Sequence, residues 1–245
     1  MTSWRELEAA LDALAERGEA IRLWWRDDDA GRDHAALTRL IELAEEHALP
    51  LALAVVPLWL EDATQARIAA SRQASVLQHG FAHINHAPAG TKSVELGARD
   101  LDAILAELER GHAILVDAFG AAFLAVLVPP WNRIDPPVIG RLAGNGFRGW
   151  STFGRRPAPE TAGLVQVNTH LDPIDWHGSR LFVGEREALG SLLQVFDADE
   201  PIGILSHHLA MDEAGWRFLD QLLGALAAHP AARFYRAAQL FKAAA

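Results

Sequence analysis

Three consecutive carboxylates, Asp27-Asp28-Asp29, close an apolar run that starts at Ile21, and Ala30-Gly31 follow them. Adjacent acids at the end of a buried strand repel one another, and a chain keeps that arrangement where a cation or proton chemistry compensates it. The plain alternative is a solvated acidic turn. A second cluster, Gln78-His79-Gly80-Phe81-Ala82-His83-Ile84-Asn85-His86, sets two histidines four residues apart. That spacing puts both on one face of a helical turn, where two imidazoles can serve one ion. An isolated pair of this kind is more often hydrogen-bonded than ligating. The chain has no cysteine, however, so histidine and carboxylate are its only good metal donors. Two histidines plus one strand-end aspartate then make a three-donor site with a fourth position for water, the layout of catalytic zinc. His86 departs from the spacing and reads as a loop neighbour.

Strand and helix signals alternate along the chain and deliver these residues. Ser3 followed by Glu6 is a capping-box pattern, and Leu7, Ala10, Leu11 and Leu14 recur at helical spacing until Gly18. Strands are expected over 21–26, 51–56, 74–78, 123–128, 149–153, 164–168 and 202–206, with one more over 233–235. Helices are expected over 35–47, 62–73, 93–119, 185–196 and 212–228, and Asp135-Pro136-Pro137 caps and starts a further one. Buried-type strands alternating with helices and without hairpin signals argue for parallel βαβ units. The fold class expected is α/β: a single distorted (β/α) barrel of seven to eight strands, one domain over 1–245. An open doubly wound sheet is the alternative, weakened by the lack of a Gly-x-Gly-x-x-Gly loop after the first strand. In a barrel, chemistry collects at the carboxyl ends of strands, and the acids, His79, Pro130-Trp131, Asn168-His170 and His207 each follow one.

Composition narrows the function classes. A formal net charge of −10 argues against a nucleic-acid partner, which draws its affinity from Lys and Arg on phosphates. No run of eighteen or more uncharged apolar residues is present, so no membrane helix is expected. The opening MTSWRELEAALDALAERG carries acids throughout and lacks the layout of a secretory signal, giving a cytoplasmic expectation and a small soluble acyl compound over cell-wall polymer as substrate.

Asp28-Asp29 after a first strand, His79-x-x-x-His83 after a third, Pro129-Pro130-Trp131 after a fourth and Leu205-Ser206-His207 near the end together resemble the ordered motifs of the polysaccharide deacetylase superfamily. This is the NodB-homology, or carbohydrate esterase family 4, domain, and the resemblance spans about 21–211. It implies a distorted (β/α) barrel holding one divalent metal ion, most often zinc. The metal ligands would be Asp29, His79 and His83, with Asp28 the general base, His207 the general acid, and Pro130 and Trp131 at the substrate. The reaction implied is metal-assisted hydrolysis of the acyl group from the nitrogen of an amino sugar or oligosaccharide. A non-catalytic or repurposed barrel binding carbohydrate or metal, or an amide hydrolase with a non-sugar substrate, are the alternatives.

The sequence departs from the family pattern in three places. Three acids stand where two are usual, so Asp27 and Asp28 could be base and ligand instead. The family's Arg before the two prolines is Val128 here, and Arg26 or Arg133 could supply that charge. The carboxylate partner of the late histidine is not evident; Asp172 or Asp175 could serve, although the stretch reads first as an ordinary loop. His208 alternates away from His207 and reads as structural. Of eight tryptophans, Trp59, Trp131, Trp150 and Trp176 fall near strand ends and could wall a sugar site, while Trp24, Trp25, Trp4 and Trp216 read as packing residues.

Overall fold

A computed structural model describes residues 3–197 and 199–242. In chain order its elements are α1 (Trp4–Glu16), β1 (Ile21–Ala30), α2 (Ala35–Glu46), β2 (Leu51–Val55), α3 (Asp62–Ala70), β3 (Ala74–His79), α4 (Leu101–Phe119) and β4 (Phe123–Val128). There follow α5 (Pro136–Leu142), β5 (Gly149–Trp150), β6 (Glu160–Thr161), β7 (Leu164–Gln166), α6 (Glu185–Leu193), β8 (Ile202–Ser206), α7 (Glu213–Ala228), β9 (Ala232–Phe234) and α8 (Ala237–Leu240). Seven strands run parallel in the order β7-β5-β4-β3-β2-β1-β8. Beyond β7 the chain reaches back to β8: Leu171 bridges Ile204, His170 N donates to Gly203 O (2.7 Å) and Leu205 N to Leu171 O (2.7 Å). The sheet therefore curls onto itself as the expected distorted (β/α) barrel. β6 adds an antiparallel edge to β7, and β9 pairs with the first residues of β1.

The period-2 alternation of the strands divides the core. Leu23, Trp25, Leu51, Leu53, Val55, Ile202 and Ile204 face the helices and pack on Leu7, Leu11, Leu37, Leu40, Leu219 and Leu222. Trp24, Ala52, Ala54, Leu77, Val126, Val128 and Val167 fill the other side, the barrel interior. There the small Ala52 and Ala54 leave room for Trp24, which meets Phe241 edge-on at 5.8 Å. Burying each of Trp24 and Trp25 removes roughly 150–250 Å² from water, on the order of 4–6 kcal/mol apiece.

Several local expectations need correction. Strand β1 does not stop before the acids but runs through them to Ala30. The expected helix over 93–119 begins only at Leu101, where the Asp100 side chain accepts from Ala103 N; 93–100 is a loop. Ser3 flanks α1 without a side-chain cap. Asp135 precedes α5 but its carboxylate turns to Ala98 N instead (3.2 Å). The His79–His83 segment is not a helical turn: Gly80 and His83 both have positive φ, 56° and 57°.

Candidate metal centre

The three acids of β1 have three different surroundings, and a bulge is the reason. Against β2, Asp27 pairs with Leu53 and Ala30 with Val55, so β1 carries one extra residue between them. The extra residue breaks the alternation, and Asp29 takes a left-handed backbone (φ 69°), a conformation Asp tolerates better than most residues. Asp27, on the helix side, accepts from Ser206 Oγ (2.6 Å) and His208 N (3.0 Å) and pairs with the His208 ring. Burial works against a charged His208, but Asp27 outweighs it and raises the imidazole above its ordinary value. Asp28 turns into the barrel, where Arg26 grips it with Nε on Oδ1 (2.8 Å) and Nη2 on Oδ2 (3.1 Å). Arg26 is wholly buried and also donates to Ser151 Oγ (2.6 Å) and Asn132 Oδ1 (3.2 Å). Of the two arginines weighed above, Arg26 is the one in contact with Asp28; Arg133 donates instead to Ser93 O (2.9 Å).

Asp29 Oδ1 lies 3.3 Å from His79 Nε2 and 3.2 Å from His83 Nε2, so these three side chains converge. Burial would raise the Asp29 carboxyl. The close approach of His79 and the fields of His79, His83 and His207 outweigh it and hold the group well below the usual carboxylate range. His79 is raised, since Asp29 and Asp28 outweigh the effect of its burial; His83 is lowered by burial and by its neighbour His79. His79 Nδ1 donates to the carbonyl of Val128 (2.9 Å), which leaves Nε2 as the atom facing Asp29. The donor set fits a divalent cation: one carboxylate and two imidazole nitrogens lie within 4.8 Å of one another, and Asp29 Oδ1 is buried without a hydrogen-bond partner.

A residue missed in the sequence holds the second half of this set in place. Glu95 is fully buried, and its carboxylate accepts from three successive backbone amides: Ala82 N (2.7 Å), His83 N (3.0 Å) and Phe81 N (3.4 Å). That nest of donors folds the loop so that His83 returns toward Asp29. Gly80 is required beneath it: a Cβ there would stand 2.0 Å from Glu95 Oε2 and 2.7 Å from the ring of Pro130. Gln78 ties the same loop to α4 by donating to Gly80 O and Leu108 O, both at 3.0 Å. No local spacing in the sequence marks Glu95, because its partners are amides of a loop that exists only once folded.

His207 stands on the other side, its Nδ1 at 3.6 Å from Asp172 Oδ2, an ion-pair separation longer than a hydrogen bond. Trp176 Nε1 donates to the same oxygen (2.7 Å), and its ring meets His207 edge-on at 4.8 Å. Burial lifts the Asp172 carboxyl above its ordinary value although His207 and Trp176 pull it down. The stretch read first as an ordinary loop therefore supplies the partner of His207 through Asp172. Asp175 serves the local turn by accepting from Gly178 N and Ser179 N. Trp131 and Trp59 flank His83 at ring separations of 4.4 and 5.3 Å. Trp131 and Asn132 both have positive φ, 55° and 56°, a turn that sends one side chain to His83 and the other to Arg26. Pro130 is buried against Gly80.

No family model matches the chain, and no curated protein matches it in sequence. Its fold matches solved structures. A protein assigned as a polysaccharide deacetylase from Mycobacterium smegmatis superposes with a TM-score of 0.72 at 16% identity, over 91% of this chain and 90% of that one. A peptidoglycan N-acetylglucosamine deacetylase gives 0.63 at 15% identity, over 95% and 97% of the two chains. A family 4 acetyl xylan esterase from Clostridium thermocellum, in complex with a cobalt ion, gives 0.56 at 15%, over 90% of each. Pseudoenzymes of carbohydrate esterase family 4 are also similar in fold.

Proposed function

Starting from the NodB-like fold that the chain shares with polysaccharide deacetylases, we propose that it is a metal-dependent hydrolase removing an acetyl or similar acyl group from the nitrogen of an amino sugar or oligosaccharide. The observation that carries this reading is the convergence of Asp29, His79 and His83, with Asp28 clamped by Arg26 and His207 paired to Asp172. Asp29, His79 and His83 would hold one divalent ion, and zinc suits one oxygen and two nitrogen donors. Such an ion supplies Lewis acidity, polarising the acyl carbonyl and acidifying a water.

The chain's own groups account for the proton transfers. Asp28 accepts a proton from the water that attacks the carbonyl carbon; Oδ2 accepts one hydrogen bond from Arg26 Nη2, Oδ1 is ion-paired with Nε, and the carboxylate keeps further lone pairs for that water. The Arg26 clamp fixes the orientation of the carboxylate, so the base is positioned before substrate arrives. An amide nitrogen is a poor leaving group, and His207 donates the proton that lets it depart as an amine while the carbon–nitrogen bond breaks. Asp172 stands beside Nδ1 and the Trp176 ring packs edge-on against the imidazole, so both hold His207 in place. Trp131 and Trp59 offer aromatic faces of the kind a sugar ring stacks on.

The test is metal content per purified chain together with acetate release from N-acetylated saccharides. Asp29→Asn and His79→Ala are expected to lose the ion. Asp28→Asn is expected to keep it and to lose about 10²–10⁴ in rate. A wild-type chain that takes up no divalent ion would remove the basis of the proposal. Because pseudoenzymes share this fold, the competing reading is a barrel that binds carbohydrate without hydrolysing it. That reading requires saccharide binding by a metal-loaded wild-type chain that releases no acetate.

A further inference from the structure

A cavity of about 570 Å³ opens beside the Arg26 network, lined by Asn132 and Thr152, which both accept from Arg26. In a chain of net charge −10, its wall carries three cations, Lys92, Arg133 and Arg155. Among the described residues none of the three is paired with a carboxylate, whereas Arg26, Arg39, Arg67, Arg99 and Arg156 each are. Arg133 and Arg155 each give one bond to a backbone carbonyl, Ser93 O and Gln194 O, and keep further donors. Asp135, the one acid on the wall, has Ala98 N as its partner.

The polar lining is incomplete in a way that indicates a ligand. Trp150 and Gln166 both line the cavity and are 7% and 2% exposed, yet the Trp150 Nε1 donor and the Gln166 Oε1 acceptor have no hydrogen-bond partner. Buried polar atoms are rarely left so. A donor and an acceptor on one wall suit the hydroxyls of a sugar, and unpaired cations at the same cavity suit an anion.

We propose that this cavity is a subsite for an anionic group, carboxylate or phosphate, carried by the acylated amino sugar. The inference deepens the hydrolase reading above and rests on it for the identity of the sugar. Binding is measured by calorimetry, which needs no turnover, with N-acetylglucosamine, N-acetylglucosamine 6-phosphate and N-acetylmuramic acid as probes. One or both charged sugars are expected to bind on the order of tenfold more tightly than the neutral one. Which of the two gains assigns the anion as phosphate or carboxylate. The preference should disappear in Arg133→Gln/Arg155→Gln and shrink at high salt. Should that pair of substitutions unfold the chain, Lys92→Gln at an exposed position is expected to lower the preference alone. Equal affinities for all three sugars, or a preference that survives these substitutions, would overturn the proposal. Hydrolysis of the neutral sugar with equal affinities leaves the hydrolase and removes the subsite; a charge preference with no acyl release from any probe leaves the subsite and removes the hydrolase.

Discussion

At the scale of single residues, Asp27, Asp28 and Asp29 differ because each faces a different partner. Their mutual repulsion is offset by His208, Arg26 and the His79–His83 pair respectively. A buried charge left without its partner is costly, so Arg26→Met is expected to lower unfolding free energy by roughly 3–5 kcal/mol. The double variant Arg26→Met/Asp28→Asn should recover part of that loss. Urea unfolding measures both, and a single variant within about 1 kcal/mol of wild type would show that the pair is not needed to hold the barrel interior. Sequence adjacency made the three acids visible as a cluster. It did not reveal their division of labour, which depends on one extra residue in β1.

At the scale of elements, the loop after β3 is held by a carboxylate twelve to fourteen positions further along the chain, Glu95 binding the amides of His83, Ala82 and Phe81. Glu95→Ala strands three backbone amides, of which the buried ones, Phe81 N and Ala82 N, each cost about 1–3 kcal/mol when unsatisfied. The loop should loosen, and metal affinity is expected to fall by about 10–100-fold, the range seen when a supporting partner of a ligand is lost. Glu95→Gln keeps a carbonyl acceptor and should restore most of it. Equal metal affinity in wild type and Glu95→Ala, measured by competition with a chelator, would refute the positioning role. The expected helical turn between His79 and His83 was the natural reading of their spacing. Gly80, with positive φ and no room for a side chain, is the residue that makes the observed turn possible.

At the scale of the whole molecule, barrel closure between Leu171 and β8 brings Asp172 and His207 to the same rim as the acids of β1. Global stability also carries a pH dependence from α4, where His112 packs edge-on against Phe123 and Phe147 at 5.1 and 5.7 Å. Burial lowers its imidazole below the ordinary 6.5, so the unfolded chain binds the proton more readily. That contribution is complete above about pH 6.5 and is lost as pH falls toward the depressed folded value. His112→Leu should therefore differ from wild type by an amount that changes between pH 5 and 7, read from unfolding curves at each pH; a constant difference would refute the assignment.

The sequence by itself determined the alternation of strands and helices, the placement of polar clusters at strand ends and the packing role of Trp24 and Trp25. These follow from local periodicity and from which residues can be buried. Tertiary structure alone decided that Arg26 is held between Asp28, Ser151 and Asn132, that Asp172 and not Asp175 meets His207, and that Glu95 braces His83. Apart from the Arg26–Asp28 pair within β1, these contacts join separate segments of the chain and are fixed by strand register and loop closure. Neither leaves a periodic trace in the order of residues.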